Sequence, residues 1–286
     1  MIELRREHPT IPLTIWFTIA QLPKSSYYEW RQKLDQVNKE EVKLIQRMQE
    51  IIQKANGSYG YRRVCLAVKQ LGYTVNHKRV LRLMKENYLL CTKFTRRSRK
   101  KYSFYQGEVG KVAANHLERQ FNPSQINEVW VSDVTEFAIL NDQRKLYLSP
   151  IMDLFNSEII ACSLSVSPTI QFTNQALDQV LAQLPKHHQL MIHTDQGLHY
   201  QHHSWVEQLE SRGIQQSMSR KGNCLDNSPM ENFFGLLKQE MFYGETFESI
   251  DHLALKIKEY IEWYNHDRIK TKLNGLSPVK YRQQAA

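Results

Sequence analysis

The sequence lacks any long, uninterrupted apolar segment. Its longest apolar run, Ile11–Ala20, is about half of the roughly 20 residues that a membrane-spanning helix needs, and polar residues interrupt the other runs. This run follows Arg5 and Arg6 and so resembles the apolar part of a secretory signal, but no small-x-small cleavage site comes after it. The pattern argues against a membrane partner and favours a cytoplasmic protein.

Cysteine is also scarce and widely spaced. The four cysteines are separated by 26, 71 and 62 positions, which forms neither a CxxC zinc pair nor a regular disulfide pattern. With 41% hydrophobic and 23% charged residues among 286, the chain has enough apolar side chains to bury a core and does not have the composition of a disordered protein. A globular protein of a reducing compartment is therefore expected.

Negative charge is scarce in the first part of the chain. Residues 1–120 carry 24 Lys and Arg against 10 Asp and Glu, whereas the remaining 166 residues carry 14 against 19. A local excess of positive charge is the electrostatic signature of a segment that binds nucleic acid. The basic front part thus precedes a mildly acidic back part.

Helical periodicity predicts an all-α front part. The expected helices are Ile11–Gln21, Ser25–Leu34, Lys39–Lys54, Tyr61–Leu71 and Asn76–Asn87. Gly72 supplies the turn between the last two, as in a helix-turn-helix whose second helix enters the major groove. The basic side chains expected on the exposed part of this second helix are His77, Lys78, Arg79, Arg82 and Lys85, although a merely solvated basic face has the same pattern.

A basic segment follows directly. Six Lys and Arg occur among the nine residues 93–101, interleaved with Phe94 and followed by Tyr102. The candidate DNA contacts in it are Arg96, Arg97, Arg99, Lys100 and Lys101. Such a segment indicates a DNA-binding arm, and a flexible solvated tether is the alternative.

The pattern changes to strands after residue 122. The expected strands are Glu128–Leu140, Lys145–Asp153, Glu158–Val166, Leu190–His193 and Gly213–Ser217. Predicted helices lie at Phe172–Leu184, Ser204–Ser211, Pro229–Met241 and Asp251–Asn265. A meander followed by alternating helices and strands predicts an α/β fold with a mixed sheet and helices on both faces.

Three carboxylates in this back part are candidate site residues. Asp133 lies in the middle of an apolar strand, where a buried carboxylate needs a cation, a metal or several hydrogen bonds. Asp195 follows an apolar strand, at the edge where α/β sheets bind ligands, but Asp before Gln-Gly also suits a turn. Glu231 fits a capping box that starts at Ser228, yet it shares a helix stripe with Gly235 and Lys238. Carboxylates from separate elements can converge on two divalent ions for phosphoryl transfer, and hard oxygen ligands suit Mg²⁺ or Mn²⁺.

The sequence resembles the Asp-Asp-Glu transposases of the insertion-sequence-three family, in particular their second-reading-frame proteins. The resemblance spans most of the chain, and 35 residues separate Asp195 from Glu231, with Lys238 seven residues further on. The motifs that carry it are Ser58–Arg63 with Asn76–Val80, Trp130–Phe137, His193–Gly197, Met218–Asn227, Tyr264-Asn265 with Arg268, and Leu276–Pro278. One departure is Lys270, which stands where many relatives have His.

The resemblance implies a fold, an activity and partners. The fold would be a ribonuclease-H-like, mixed five-stranded sheet, the integrase catalytic core, in which the first and fourth strands are neighbours, so that Asp133 and Asp195 meet. Asp133, Asp195 and Glu231 would hold two Mg²⁺ or Mn²⁺ ions, Lys238 would contact the donor end, and Arg62 and Arg63 would be further DNA contacts. The implied activity is metal-dependent cleavage and strand transfer at the ends of a bacterial insertion sequence. The implied partners are element and target DNA, further copies of the chain on DNA, and an upstream-frame protein joined by frameshifting.

The resulting domain prediction has four parts. Residues 1–50 form an N-terminal helical region with a possible helix-turn-helix, and 51–105 form a helix-turn-helix DNA-binding domain with its basic arm. Residues 106–122 form a linker, and 123–286 form the catalytic core with a C-terminal helical extension. A non-catalytic DNA-binding regulator, or a decayed element that uses only the front part, is the competing function. Six of eleven histidines fall within residues 187–203, which raises a zinc site as a further alternative, but the absence of an accompanying Cys pair argues against it.

Overall fold

A computed structural model describes residues 5, 7–35, 39–94, 112–139, 142–185 and 188–285. Its first part is helical, as the sequence predicts. The helices are α1 (Leu13–Ala20), α2 (Lys24–Asp35), α3 (Lys39–Lys54), α4 (Tyr61–Gln70) and α5 (His77–Glu86). No helix in the described ranges is both long enough and apolar enough to cross a membrane.

Helices α3, α4 and α5 form one small domain. Their apolar faces meet in a shared core that contains Leu44, Met48, Val64, Val68 and Leu83. The turn between α4 and α5 uses Gly72 at φ +89°, a conformation that favours glycine. Helix α3 therefore crosses the boundary drawn from the sequence at residue 50 and packs within the helix-turn-helix unit.

The second part is an α/β domain built on one sheet. The strands are β1 (Val129–Ser132), β2 (Thr135–Ala138), β3 (Lys145–Asp153), β4 (Glu158–Ser165), β5 (Met191–Thr194) and β6 (Gln215–Met218). The remaining helices are α6 (Ile170–Leu181), α7 (Leu198–Gln201), α8 (His203–Ser211), α9 (Ser228–Leu237), α10 (Ile250–His266) and α11 (Pro278–Ala285). Two short 3₁₀ turns lie at Cys224–Asn227 and Thr271–Leu273, and a π-helical turn at Lys238–Phe242.

The sheet has the mixed topology expected of the fold. Strand β3 pairs antiparallel with β4 on one side and with both β1 and β2 on the other, while β5 pairs in parallel with β1 and β6. The neighbouring positions of the first and fourth predicted strands, here β1 and β5, are thus confirmed. Segments β1 and β2 pair with β3 in one continuous register and so form a single, interrupted strand. The sheet therefore has five strand positions although six segments are paired.

The predicted continuous strand from 128 to 140 is wrong at Asp133 and Val134, where pairing is interrupted. Pro150 of β3 lies opposite Asp133 in the continued register, and its carbonyl accepts a hydrogen bond from the Ser132 hydroxyl at 3.0 Å. In an antiparallel strand the N–H and the carbonyl of a residue point to the same side, which for Pro150 is the side of β1. Proline has no N–H, so Pro150 donates no ladder hydrogen bond to β1. The break releases the Asp133 backbone from the ladder.

Helices cover both faces of the sheet, as predicted. Alternation along β1 sends Val129 and Val131 into a core shared with α9 and α10, and Trp130 into a core shared with α6 and α8. The helix-turn-helix domain packs against the end of α10 and the turn that follows it, where Tyr59 accepts a hydrogen bond from the Ile269 N–H at 2.7 Å. Gln70 donates to the Gly275 carbonyl at 2.8 Å in the same interface.

Residues 112–121, which lie within the predicted linker, contact the edge strand β6. The Ala114 carbonyl accepts from the Met218 N–H at 3.2 Å, and the Ser217 hydroxyl accepts from the His116 N–H at 2.9 Å. This segment is therefore fixed along the catalytic part of the chain, next to the loop that leads to α9.

Candidate active site

The parallel pairing of β1 with β5 brings two of the predicted carboxylates together. Val131 pairs with His193, so continuing the register by two residues sets Asp133 opposite Asp195. Both strands end at this edge, where each chain turns away and leaves a side chain at the carboxyl end of its strand. Asp133 is only 6% exposed, and Asp195 is partly buried.

Local hydrogen bonds orient these two carboxylates. Asp133 accepts from the Val134 N–H at 2.7 Å, and Asp195 accepts from the Gly197 N–H at 2.9 Å. A Cβ on Gly197 would lie 2.8 Å from Asp195 Oδ1, closer than real Cβ contacts occur. Asp195 and Gly197 thus form the turn that the sequence also allows, and the absence of a Cβ at residue 197 leaves room for the Asp195 carboxylate.

Glu231 lies near Asp133 and is not part of a capping box. Ser228 already has helical angles (φ −56°, ψ −28°), whereas the first residue of a capping box has a non-helical backbone. The capping-box explanation of Glu231 is therefore wrong. Helix α9 instead presents Glu231, which is partly buried, close enough for its charge to raise the pKa of Asp133.

Burial and mutual repulsion raise the pKa values of the carboxylates. The pKa of Asp133 is raised chiefly by burial and then by the charges of Asp195 and Glu231, while the Val134 N–H and the Lys238 ammonium act in the opposite direction. Burial also raises the pKa of Asp195, against the effects of the Gly197 N–H and of His199. Three carboxylates share a region with little neutralising charge, which is the donor chemistry that suits a divalent cation.

The described part of the chain does not present a compact, three-ligand metal cluster. Within the described ranges, no group of three His, Cys, Asp or Glu side chains is close enough to hold one ion. The fit of these residues to a metal ion therefore rests on two observations. The ligands are carboxylate oxygens, and burial together with the charges of Asp195 and Glu231 raises the pKa of Asp133. Both observations agree with a divalent ion bound by carboxylate oxygens.

Lys238 begins the π-helical turn that follows α9. Its Nζ donates to Thr135 Oγ1 at 2.7 Å and lies 5.2 Å from the centre of the Phe137 ring. Its charge lowers the pKa of Asp133, so the ammonium lies at the edge of the carboxylate group. The structure thereby brings together four of the predicted residues, namely the three carboxylates and Lys238.

The loop before α9 contains two residues, Asp226 and Asn227, that fix the start of this helix. Asn227 makes no side-chain cap; its Nδ2 donates instead to the Ser132 carbonyl at 3.1 Å, directly before Asp133. Asp226 is buried and accepts from Arg220 and Arg119, which lowers its pKa. These contacts fix the start of α9 against β1. No local sequence pattern links Asp226 to Arg119, because the two residues are 107 positions apart in the chain.

Three described histidines of the 187–203 cluster make separate contacts, whereas the rings of His202 and His203 lie 4.1 Å apart. His193 is fully buried between Ser217 and Ser219, at 2.8 and 3.0 Å, and burial lowers its pKa to about 4. Because Ser217 already accepts two backbone N–H groups, its single proton goes to His193 Nδ1, which makes Nε2 the protonated nitrogen. His188 and His199 contact backbone carbonyls of Asn127 and Pro168. His187 lies outside the described residues.

The predicted DNA contacts fall into three groups. His77, Lys78, Arg79 and Arg82 are exposed on α5, and the two arginines also pair with Glu41 of α3. Arg62 is exposed, whereas Arg63 contacts the buried carboxylate of Glu240 at 3.4 Å. The arm residues Arg96, Arg97, Arg99, Lys100 and Lys101 lie outside the described residues.

Comparison with known proteins agrees with this architecture. Models of the integrase core domain match residues 123–224 and 231–285, and a model of an HTH-like domain matches residues 39–99. The chain is 44% identical over 283 residues to the putative transposase InsK for insertion sequence element IS150 of Escherichia coli, covering 99% of this chain and 96% of that protein. It is 49% identical over 211 residues to an uncharacterized transposase-like protein of Haemophilus influenzae, covering 74% of this chain and 94% of that protein. Among solved structures, the HTLV-2 integrase catalytic core domain in complex with magnesium (trimeric form) covers 55% of this chain and 96% of that chain at 20% identity, with a TM-score of 0.40.

The fold and the matches define an integrase-core transposase, which is a polynucleotidyl transferase with a ribonuclease-H-like domain behind a helix-turn-helix. The chain belongs to the insertion-sequence-three family of transposases, of the second-reading-frame type. Its function is that of an insertion-sequence transposase. An integrase core implies dependence on a divalent metal, and the two domains imply DNA binding.

Proposed function

We propose that Asp133, Asp195 and Glu231 are the catalytic, metal-binding carboxylates of this transposase. The observation that carries the proposal is the parallel register that sets Asp133 opposite Asp195, with Glu231 near enough to raise the pKa of Asp133. We further propose that the metal is Mg²⁺ or Mn²⁺, with two ions per site. Bound there, the ions would stabilise the charge that develops on the attacking and leaving oxygens of a phosphodiester.

The chain's own residues have distinct parts in this proposal. The three carboxylates supply oxygen ligands from β1, the end of β5 and α9, so that the metal geometry depends on how these elements pack. Lys238 is proposed to contact the end of the element, since its ammonium lies near the carboxylates, 5.2 Å from the centre of the Phe137 ring. Gly197 and Asn227 position Asp195 and the start of α9, through contacts at 2.9 and 3.1 Å respectively.

The basic front part is proposed to hold the DNA. The contacts we propose are Arg62, Arg63, His77, Lys78, Arg79, Arg82, Arg96, Arg97, Arg99, Lys100 and Lys101. Support comes from the exposure of the α5 side chains and from the local excess of positive charge. We retain the sequence-based domain division as a proposal, together with action in the bacterial cytoplasm, assembly of several copies on DNA and fusion to an upstream-frame protein.

A cell assay with the element, its upstream frame fused in frame, tests the proposal. The readout is the head-to-tail junction of excised circles, scored for the wild type, Glu231→Gln and Glu262→Gln. Glu262 is 76% exposed on α10 and provides the matched Glu-to-Gln control. Junctions from the wild type and Glu262→Gln, with none from Glu231→Gln, would agree with the proposal. Equal junctions from all three would refute the role of Glu231, and none from any would favour a decayed or regulatory protein.

A second readout is independent of recombination. The three carboxylates repel one another, so millimolar Mg²⁺ or Mn²⁺ should raise the thermal midpoint of the wild type. The increase should be lost in Asp133→Asn, which removes one ligand while keeping its size. An equal increase in both proteins would mean that the ions bind elsewhere.

A further inference from the structure

An open cavity of about 500 Å³ lies at the junction of the helix-turn-helix domain and the catalytic part. We call it the junction cavity. The helix-turn-helix side contributes Ser58, Gly60, Tyr61, Arg62 and Arg63, and the catalytic side contributes Thr271, in the 3₁₀ turn after α10. The remaining lining residues include Phe94, the second residue of the basic segment 93–101. A ligand in this cavity would therefore contact both domains.

The surroundings of the junction cavity are positively charged. Arg63 lines it, and burial, followed by the charges of Arg268, Lys272 and Arg63, lowers the pKa of Lys270, next to Thr271, to about 7. Burial is the first cause of that shift, and Glu240 is the one carboxylate acting in the opposite direction among its stated causes. Glu240 is already engaged by the Arg268 guanidinium at 2.6 and 2.7 Å. The cluster thus has more cations than carboxylates and attracts an anion.

The N-terminus of helix α4 lies at the junction cavity. It has ten residues, its N-cap is Gly60, which offers no side-chain cap, and its first turn has no acidic residue. The N–H groups of a helix N-terminus and the helix dipole both favour a negatively charged ligand. Helix α4 thus has neither a side-chain cap nor an acidic residue at this end.

The Ser58 hydroxyl provides a second, independent observation. Ser58 is 1% exposed, lines the junction cavity, and its Oγ has no hydrogen-bond partner in the part of the chain that the structure describes. A buried hydroxyl without a partner is costly, and an oxygen acceptor in the adjacent cavity would relieve that cost. The guanidinium of Arg62, 5.6 Å above the Tyr61 ring, is exposed at the same end of α4.

From these observations we propose that the junction cavity binds one backbone phosphate of DNA, held by the start of α4 on one side and by the Thr271 turn on the other. The inference rests on the proposed function, because it takes the ligand to be the DNA on which the transposase acts. The choice of a nucleic-acid phosphate over a free anion follows from the neighbouring charge: the lining residue Phe94 belongs in sequence to the basic segment 93–101, and the exposed basic face of α5 belongs to the same domain. The phosphate would fix the helix-turn-helix relative to the catalytic part.

Thr271 gives a test from the catalytic side of the cavity, away from the helix-turn-helix. We would measure the binding of a short fluorescent DNA duplex to the full-length chain over a series of salt concentrations, for wild type, Thr271→Glu and Thr271→Gln. Thr271 is exposed, so neither substitution disturbs the core, and their difference isolates the added negative charge. Lys256→Gln is the control for net charge, because Lys256 is on α10, 44% exposed and paired with Glu259.

The expected result has two parts. Thr271→Glu should bind DNA about tenfold more weakly at low salt. The negative slope of log K against log salt should become shallower by about 0.9, which corresponds to the loss of one phosphate contact. Thr271→Gln should lose much less, and Lys256→Gln should match the wild type. Arg62→Gln should reproduce the decrease in slope from the other side of the cavity.

Other outcomes overturn the inference in distinguishable ways. If Thr271→Glu and Arg62→Gln bind DNA with the wild-type slope, the cavity holds no DNA phosphate, while DNA binding by the transposase still stands. If the wild type binds no duplex at all, the inference fails together with the proposed function. If inorganic phosphate raises the thermal midpoint of the wild type but not of Thr271→Glu, and DNA binding is equal in both, the cavity binds a free anion and the assignment to DNA is wrong.

Discussion

The buried ion pair between Glu240 and Arg268 offers a quantitative test of what stabilises the catalytic part where the helix-turn-helix packs against it. Each side chain is only 1% exposed, and the guanidinium donates to both carboxylate oxygens, at 2.6 and 2.7 Å. The Tyr260 hydroxyl donates to the same carboxylate at 2.8 Å, and Arg63 reaches it from the helix-turn-helix at 3.4 Å. Replacing Glu240 by Gln keeps the size of the side chain but leaves the Arg268 charge buried without its partner.

The expected cost follows from burial. Removing one partner of a buried ion pair costs about 3–5 kcal/mol of the free energy of unfolding, because the remaining charge is neither solvated nor paired. Replacing both partners by apolar side chains of similar volume, Glu240→Leu with Arg268→Met, should cost far less, since no charge remains buried. Arg63→Met should cost only about 0–1 kcal/mol, because Arg63 is 23% exposed and makes the longest contact.

The assay is urea unfolding followed by tryptophan fluorescence, with Glu262→Gln as the exposed Glu-to-Gln control. We expect Glu240→Gln to lower the free energy of unfolding by several kcal/mol, and the control to stay within about 0.5 kcal/mol of the wild type. A loss of less than about 1 kcal/mol for Glu240→Gln would refute the reasoning. So would a double variant that loses as much as the sum of its two single variants, because the pair would then have no mutual dependence.

Three further predictions concern the site and its supports. Gly197→Ala should lower strand cleavage by about 100-fold with little change in the folded state, because the new Cβ meets Asp195 Oδ1 at 2.8 Å; cleavage of a labelled duplex and a thermal melt measure the two effects. Asn227→Asp should lower the free energy of unfolding by about 1–3 kcal/mol, since it replaces the donor to the buried Ser132 carbonyl by an acceptor; urea unfolding against Asn227→Ala separates the added charge from the lost donor. Lys270→Met should stabilise the protein near pH 7 and less so near pH 10. The pKa of Lys270 is lowered to about 7 in the folded state, so between pH 7 and the ordinary pKa of lysine the unfolded chain binds one more proton than the folded chain. The free energy of unfolding of the wild type therefore rises with pH across that window. Unfolding measured at several pH values should show this contribution in the wild type and not in Lys270→Met.

The sequence was sufficient to predict the elements whose signals are local. The helix-turn-helix, the order of strands and helices, and the edge at which Asp133 and Asp195 meet all follow from periodicity, turn residues and the family resemblance. Apolar alternation along β1 even separates the two faces, with Trp130 on one side and Val131 on the other. These features depend on residues close together in the chain or on a register that the fold imposes.

What the sequence did not reveal depends on partners far away in the chain. The interruption at Asp133 comes from Pro150, a residue in the next strand whose missing N–H matters only once the register is known. Glu231 matched a capping box because that pattern compares only Ser228 and Glu231, whereas the 3₁₀ turn before them leads into a Ser228 that is already helical. Glu240 could not be matched with Arg63, since the two are 177 positions apart and belong to different domains.

Helix α9 is held at both of its ends, and this has a consequence for how the domains communicate. At its start, Asn227 ties it to the Ser132 carbonyl beside Asp133, and after its end Glu240 is tied to Arg268 and, through Arg63, to the helix-turn-helix. Between these ties lies Glu231, so a shift of the helix-turn-helix on DNA must either break the contact of Arg63 or be transmitted to the segment that carries the carboxylate. The contact of Arg63 is the longest of the three ties, at 3.4 Å. Tyr59 and Gln70 join the same two domains through the Ile269 N–H at 2.7 Å and the Gly275 carbonyl at 2.8 Å, so a shift of the helix-turn-helix would have to break these contacts as well.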